Sequence, residues 1–179
     1  CQTCTVSCKI SNEVPGNAHW NHLESLDGEE LYRSTGTFPR TTLAFRPLLC
    51  NHCEDPACVN NCPSGAMYKD EDEGVVLHDD GMCIGCETCV SACPYGEPVY
   101  LEDEGIVRKC DSCVMLRKKG ENPACVAACP MRALDFGDLE DLKQKYGTDL
   151  VSDFNGLPDS SQTTPSLLVK ARDAALQGA

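Results

Sequence analysis

The cysteines of this protein fall into four groups with related spacing, and this pattern constrains the fold more than any other feature. There are 15 cysteines among the 179 residues. In the third group, three cysteines separated by two residues are followed by a fourth and then by Pro94. In sequence order, the groups are Cys1-x2-Cys4-x3-Cys8, Cys50-x2-Cys53-x4-Cys58-x3-Cys62, Cys83-x2-Cys86-x2-Cys89-x3-Cys93 and Cys110-x2-Cys113-x11-Cys125-x3-Cys129. A spacing that returns four times indicates one shared ligand chemistry.

Such a run is a ligand set for [4Fe–4S] clusters. The three closely spaced thiolates can bind three irons of one cubane, whereas the fourth lies beyond a turn of helix and binds the other cluster in two-cluster ferredoxins. A proline after the fourth cysteine ends that helix because its ring fixes φ and removes an N–H donor. The first group lacks its leading cysteine, which would stand three residues before Cys1. Restoring it raises the 15 cysteines to sixteen, which is four complete sets, so we expect the natural protein to begin further upstream.

Two other chemistries use cysteines at this density. A disulfide scaffold is normally secreted, shorter than about 100 residues and built on an even number of cysteines, whereas this sequence has 15. A zinc site usually pairs two separated C-x2-C hairpins, without third and fourth cysteines following so closely. Iron–sulfur ligation is therefore the favoured interpretation, with a zinc-stabilised interaction module as its rival.

The overall charge constrains the partners. With 15 Lys and Arg against 28 Asp and Glu, the formal net charge is −13, which repels phosphate backbones and argues against a nucleic-acid partner. Leu, Ile, Val and Phe make up only about a fifth of the sequence, near the lower limit for a conventional core. No apolar run reaches the length of about 18 residues needed for a membrane span.

Between the cysteine groups, residues 66–77 and 98–108 each show two short strand patterns around an acidic turn that ends in Gly, and we predict two β-hairpins. The repeating unit is then a strand, a cysteine loop, a short helix with the fourth cysteine, a proline and a strand. Residues 41–49 predict a strand leading into the second group. The fold class predicted is α+β.

Residues outside the cysteine groups receive structural interpretations. His52 stands inside a cysteine loop, where four thiolates are already supplied, so we interpret it as a packing or hydrogen-bonding residue. Trp20, in the long insertion 9–49, is assigned to packing or a subunit contact. Residues 138–146 predict a short amphipathic helix that covers the core. Residues 152–166 predict an extended loop, and 167–179 a helix or strand-like tail that lies on this protein or a partner.

The order of the groups resembles the four-cluster iron–sulfur subunits of molybdopterin oxidoreductases, and most closely the iron–sulfur (beta) subunit of dimethyl sulfoxide reductase. The resemblance covers residues 1 to about 158 and is most specific in 50–137. The stretches that carry it are Cys50-Asn-His-Cys-Glu-Asp-Pro-Ala-Cys58, Cys62-Pro-Ser-Gly-Ala-Met67, Cys83-Ile-Gly-Cys86, Ala92-Cys-Pro-Tyr-Gly96 and Arg132-Ala-Leu-Asp-Phe-Gly137.

The resemblance implies two nested bacterial-type ferredoxin-like modules. The outer half comprises residues 1–45 with 103–137 and holds groups one and four; the inner half is 46–102 and holds groups two and three; residues 138–179 form a C-terminal extension. Four cubanes are implied, because Cys86 fills a place where related nitrate reductase subunits carry Trp and a three-iron cluster. The implied ligands are Cys1, Cys4, Cys129 and the missing cysteine (site 1), Cys110, Cys113, Cys125 and Cys8 (site 2), Cys50, Cys53, Cys58 and Cys93 (site 3), and Cys83, Cys86, Cys89 and Cys62 (site 4).

The resemblance also implies the role of the protein. Such a subunit passes electrons between an integral-membrane, quinol-linked anchor and a catalytic subunit holding a bis-guanine-dinucleotide molybdopterin cofactor, and does no substrate chemistry itself. The complex is expected at the membrane, on its outer, periplasmic face, with the cytoplasmic face as the alternative. The rival within electron transfer is a polyferredoxin-type wire of a hydrogenase or a formate-oxidising complex.

Overall fold

The fold is a succession of short helices and two-stranded sheets, seen in a computed structural model that describes residues 1–16, 18–25, 35–43, 45–153 and 156–171. The helices are Thr3–Ser11 (α1), Ala57–Asn60 (α2), Thr88–Ala92 (α3), Val114–Arg117 (α4), Ala124–Ala128 (α5) and Leu139–Tyr146 (α6). The strands are Asn21–Ser25 (β1), Thr35–Thr37 (β2), Arg40–Thr42 (β3), Phe45–Leu49 (β4), Met67–Lys69 (β5), Val76–His78 (β6), Val99–Leu101 (β7) and Ile106–Arg108 (β8). This mixture of short helices and strands agrees with the predicted α+β class.

The strands pair as four antiparallel two-stranded sheets, β1 with β4, β2 with β3, β5 with β6 and β7 with β8. The last two are the predicted hairpins, with Met67 opposite His78 in one and Val99 opposite Arg108 in the other. The strand predicted over 41–49 is divided in the structure between β3 and β4, and β4 pairs with β1 rather than with β3.

The helices next to the cysteines differ from the prediction in one respect. In the second, third and fourth groups, the third cysteine rather than the fourth lies within the short helix, and the fourth comes one or two residues after that helix ends. Cys93 and Cys129 end their helices with extended backbone, ψ 116° and 109°, because a residue before proline is excluded from the helical region. Cys8 is followed by Lys9 rather than by proline, so α1 runs on through Cys8 to Ser11.

Helices from distant groups pack against each other. Helix α1 of the first group contacts α5 of the fourth, and α2 of the second contacts α3 of the third. The α1–α5 contact includes a hydrogen bond from Ser7 Oγ to the Ala124 carbonyl oxygen at 3.1 Å. These contacts bring the first cysteine group to the fourth and the second to the third.

The apolar core is small and contains cysteines. One buried cluster consists of Cys8, Val14, Ala18, Trp20 and Leu101. The other consists of Cys58, Met67, Val76, Cys89 and Val107. Trp20 is thus a packing residue, which is one of the two roles predicted for it. Cysteine side chains are themselves members of both clusters.

The C-terminal extension contains the predicted helix, but the role predicted for that helix is wrong. Asp138 caps α6 by accepting from the backbone N–H groups of Glu140 and Asp141 at 2.8 and 3.3 Å. No residue of α6 is buried, and its apolar side chains, including Leu142, are only partly covered. It therefore lies on the surface and does not cover the core.

Beyond α6 the backbone returns to the second cysteine group. The predicted loop contains a single 3₁₀ turn, Ser160–Gln162, and Thr163 is 2% exposed. Backbone N–H groups of Glu54 and Asp55 donate to the carbonyl oxygens of Thr164 and Thr163. In the tail, Val169 forms an isolated bridge with Val151, and residues 172–179 lie outside the described residues. Among the described residues, no helix has the length and apolarity to cross a membrane.

Candidate metal centres

All 15 cysteines are free thiols in the structure. They differ in exposure, with Cys1 and Cys86 at the surface and Cys8, Cys50, Cys58 and others buried. This distribution is unlike a disulfide scaffold and leaves every sulfur available as a ligand.

Site 3 is a small cavity whose wall includes all four of its cysteines, Cys50, Cys53, Cys58 and Cys93. Strand β4 ends immediately before Cys50, α2 carries Cys58, and Cys93 comes from the end of α3. Burial raises the pKa of Cys58 to about 12, and the charge of Cys50 adds to the rise. A metal that binds this thiol must displace its proton, so ligation at site 3 is coupled to proton release.

Site 4 joins Cys62 to the third cysteine group. Burial raises the pKa of Cys89 to about 11, and charges on Cys62, Cys83 and Cys86 add to this. Cys62 and Cys83 pack against the buried cluster that contains Cys89. Cys86 is exposed, and a hydrogen bond with the Thr88 hydroxyl lowers its pKa. Site 4 thus resembles site 1, in which Cys1 is also exposed to solvent.

Site 2 joins the first helix to the fourth cysteine group. Burial raises the pKa of Cys8 to about 12, with further contributions from the charges on Cys113 and Cys125. The side-chain amide of Asn12 donates to Cys8 Sγ and to Cys113 Sγ, each at 3.6 Å. The three thiols thus converge across a sequence separation of more than 100 residues, as the ligand set of site 2 requires.

Site 1 is the least enclosed. Cys1 is exposed, Cys4 lies in α1, and Cys129 follows α5, so the packing of α1 on α5 sets Cys4 and Cys129 on adjacent helices. A hydrogen bond from the Ala133 N–H lowers the pKa of Cys129. Burial is the main cause of the raised pKa of Cys125 in site 2, and the charge of Cys4 in site 1 makes a smaller contribution. Sites 1 and 2 are therefore neighbours.

Backbone N–H groups are directed at the sulfurs in three of the four cysteine groups. These hydrogen bonds run from Met67 N to Cys62 Sγ at 3.4 Å, from Val107 N to Cys83 Sγ at 3.5 Å, from Ser112 N to Cys110 Sγ at 3.4 Å and from Ala133 N to Cys129 Sγ at 3.4 Å. Hydrogen bonds of this kind stabilise thiolate ligands and tune iron–sulfur potentials.

The arrangement of the donors bears on the zinc hypothesis. Among the described residues, no three His, Cys, Asp or Glu side chains converge closely enough to hold a single metal ion. Four thiolates around one zinc stand only about 3.8 Å apart, from Zn–S bonds near 2.3 Å. On a cubane each thiolate binds a different iron, so the sulfurs are spread more widely. The four related cysteine groups are the feature that favours a multi-iron cluster over a zinc ion.

Three side chains near these sites were not identified as functional from the sequence. Asn12 donates to sulfur, the Thr163 hydroxyl opposes the rise that burial imposes on the pKa of Cys53, and Lys109 lines the wall of site 3. Only Lys109 carried a usable signal, because a lysine directly before a ligand cysteine places a cation beside it. Asn12 and Thr163 reach their sulfurs through tertiary packing.

The fold and the cysteine sites define a ferredoxin-like iron–sulfur protein. A family model described as a 4Fe-4S dicluster domain matches residues 41–139. The probable anaerobic dimethyl sulfoxide reductase subunit YnfG of Escherichia coli (strain K12) is 39% identical over 171 residues, which cover 95% of this protein and 82% of that one. The B subunit of anaerobic dimethyl sulfoxide reductase from the same strain is 40% identical with the same coverage. The thiosulfate reductase electron transfer subunit PhsB of Salmonella typhi is 39% identical over 142 residues, 79% of this protein and 71% of that one.

The protein therefore belongs to the family of iron–sulfur B subunits of dimethyl sulfoxide reductases. This confirms the family inferred from the cysteine spacing. It also confirms [4Fe–4S] clusters as the cofactor type and an electron-transfer rather than catalytic role in a reductase complex.

Proposed function

We propose that this protein carries four [4Fe–4S] clusters, one at each of sites 1 to 4, in two nested ferredoxin-like halves. It relays electrons between a quinol-linked membrane anchor and a molybdopterin catalytic subunit of an anaerobic respiratory reductase. The clusters supply one-electron carriers that change charge without the protein making or breaking a bond. The protein's own residues hold them, hydrogen-bond to their sulfur ligands and set the charge around them.

The observation that carries the proposal is the exchange of the fourth cysteines between groups. Cys93 of the third group lies in the cavity of site 3, which is otherwise formed by the second group. Reciprocally, Cys62 of the second group lies beside Cys89 of the third. This exchange is the ligand pattern of two-cluster ferredoxins.

The outer pair supports the nested arrangement. Helix α1 packs on α5, and Cys8 lies beside Cys113 and Cys125. The first group packs with the fourth and the second with the third, which supports the proposed halves 1–45 with 103–137 and 46–102. Site 1 takes Cys1 and Cys4 from the first group and Cys129 from the fourth.

Anaerobic purification of the native complex, with its full-length iron–sulfur subunit, tests the proposal. We expect about 16 iron atoms and as many acid-labile sulfides in this subunit, four clusters by EPR, and a co-purifying large subunit that contains molybdenum or tungsten. A zinc-containing, sulfide-free protein contradicts the cluster assignment. Co-purification with a hydrogenase or formate-oxidising subunit instead contradicts the assigned partner and leaves the clusters in place.

The location proposed for the complex is the outer, periplasmic face of the cytoplasmic membrane. The similarity to reductase B subunits supports a position within such a complex, and the net negative charge argues against a nucleic-acid partner. Protease treatment of spheroplasts tests it: degradation of this subunit without lysis supports the outer face, and protection until lysis places it on the cytoplasmic face.

A further inference from the structure

A buried lysine lies where sites 2 and 3 meet. Lys109 follows β8, directly precedes Cys110 and is only 4% exposed. Its ammonium group donates to the carbonyl oxygen of Val76 in β6 and, at 2.8 Å, to that of Cys110. The side chain therefore joins the hairpin between the second and third cysteine groups to the loop of the fourth.

The ammonium of Lys109 is not neutralised by a carboxylate. Across the ranges that the structure describes, no Asp or Glu oxygen lies within 4.0 Å of the Lys109 ammonium. The carboxyl of Glu97 is also buried and lines the same cavity, but it forms no such ion pair with Lys109.

A buried ammonium without a counter-charge is costly, so the surroundings of Lys109 should supply one. The groups that do surround it are thiols of sites 2 and 3. Lys109 lines the cavity of site 3, whose wall also includes the four cysteines of that site. Its charge opposes the rise that burial imposes on the pKa of Cys50, of Cys58 and of Cys110.

Sites 2 and 3 adjoin each other at this point. Burial is the main cause of the raised pKa of Cys110 in site 2, and the charge of Cys50 in site 3 is the next largest. Two ligand sets that repel each other across a short distance thus share one cation between them. An electron arriving at either site adds negative charge close to the same ammonium.

We infer that Lys109 is the shared counter-charge of the clusters at sites 2 and 3, where it raises both reduction potentials. The reduced form of each cluster carries one more negative charge and is stabilised more strongly by a nearby buried cation. Sites 1 and 4, which include the exposed Cys1 and Cys86, are better screened by solvent. Lys109 is thus a positioning residue for electron transfer between the outer and inner halves.

The inference depends on the proposed function, because it needs a cluster at both sites. The test is a potentiometric EPR titration of the native complex and of Lys109→Gln, which keeps a hydrogen-bond donor and removes the charge. Lys119→Gln removes the same charge from an exposed position and serves as the matched control. Iron and sulfide content of each protein is measured alongside.

In Lys109→Gln we expect the reduced-to-oxidised ratio of two clusters to fall at least tenfold at a fixed potential, equivalent to about 59 mV for one electron. The other two clusters and all four of the Lys119→Gln control should change less than threefold. Lys109→Arg, which restores the charge, should recover most of the shift. Four unshifted clusters in Lys109→Gln, or an equal shift of all four, overturns the inference.

Loss of the clusters is also informative. If Lys109→Gln and Lys109→Met both release iron while Lys109→Arg retains it, the charge itself holds the two clusters, which supports the inference. If Lys109→Arg releases iron as well, Lys109 is a packing element and the inference fails. A native complex without four clusters defeats the proposed function, whereas four native clusters with unshifted variants defeat only the role of Lys109.

Discussion

The imidazole of His52 links two cysteine loops, since its Nε2 lies 2.9 Å from Ser112 Oγ. Its Nδ1 accepts the backbone N–H of Val76 at 3.0 Å, so Nε2 carries the proton and donates to the serine oxygen. Burial, with added repulsion from Lys109 and Arg117, lowers the pKa of His52 well below its usual value, which keeps the ring neutral. The bond fixes the loop of the second group against that of the fourth.

Replacing His52 by Phe should loosen this junction. The ring volume is roughly kept, but the buried N–H of Val76 loses its acceptor, at a cost of about 1–3 kcal/mol. We expect hydrogen exchange at the Val76 amide to accelerate by about 5- to 150-fold. His19→Phe, at an exposed position, is the control and should leave that amide unchanged. Unaltered protection in His52→Phe would show that the hydrogen bonds contribute nothing to the junction.

The exchange of ligands between groups makes Cys129→Ser a specific test. Because Cys129 is assigned to site 1, its loss should perturb the cluster held by Cys1 and Cys4 and spare the one held by Cys110 and Cys113. EPR of the native complex measures this as the loss or conversion of one signal of four. Cys125→Ser is the matched control and should affect site 2 instead. The opposite pair of outcomes contradicts the assignment.

Gly85 lies in the cysteine loop of the third group at a close approach to the second hairpin. Its φ is +65°, and a Cβ there would stand 2.4 Å from the carbonyl oxygen of Gly105. Gly74 has φ +67° but open space around it, so Gly74→Ala carries only the left-handed backbone cost, about 1–2 kcal/mol. We expect Gly85→Ala to lose about 1–3 kcal/mol more, through overpacking. Thermal bleaching of the cluster absorbance compares the two variants, and equal stability would contradict the close approach.

Asn12 offers a test of sulfur hydrogen bonding at site 2. Removing its two donations to Cys8 and Cys113 should lower the potential of that cluster, because such bonds stabilise the more negative, reduced form. A hydrogen bond worth about 0.5–1.5 kcal/mol corresponds to roughly 20–60 mV for one electron. Redox titration of Asn12→Ala measures the shift, with Gln144→Ala on the exposed face of α6 as the amide control. A rise in the potential of the site 2 cluster would contradict the stabilisation of its reduced form by these hydrogen bonds.

The parts of the fold that could be predicted from the sequence are local. The two hairpins were predictable because Gly74 and Gly105 supply the positive φ values of their turns between strand-forming residues. Helix α6 was predictable from its spacing and from Asp138, whose cap involves only the next three residues. Its packing was predicted wrongly, because amphipathic spacing shows which face is apolar and not what that face contacts.

The candidate sites divide in the same way. The cysteines were identifiable because their spacing reflects loop and helix geometry, and the bland interpretation of His52 as a hydrogen-bonding residue is confirmed. The partners of His52 lie 24 and 60 residues away, and no local pattern specifies them. The burial of Lys109 likewise follows from the packing of β8 against the first hairpin. The sequence marks ligands, whereas their electrostatic surroundings come from tertiary structure.

The contact between α1 and α5 has a consequence for the order in which this protein is made. Ser7 and Ala124 are 117 residues apart, and a ribosome adding 5–20 residues per second needs roughly 6–23 s to bridge that interval. Until α5 emerges, α1 lacks its helical partner, and Cys8 can pack on Val14, Ala18 and Trp20 of its own segment. The first thiols synthesised are thus among the last to be enclosed, and the cell must keep them reduced and unmetallated by unsuitable ions throughout that wait.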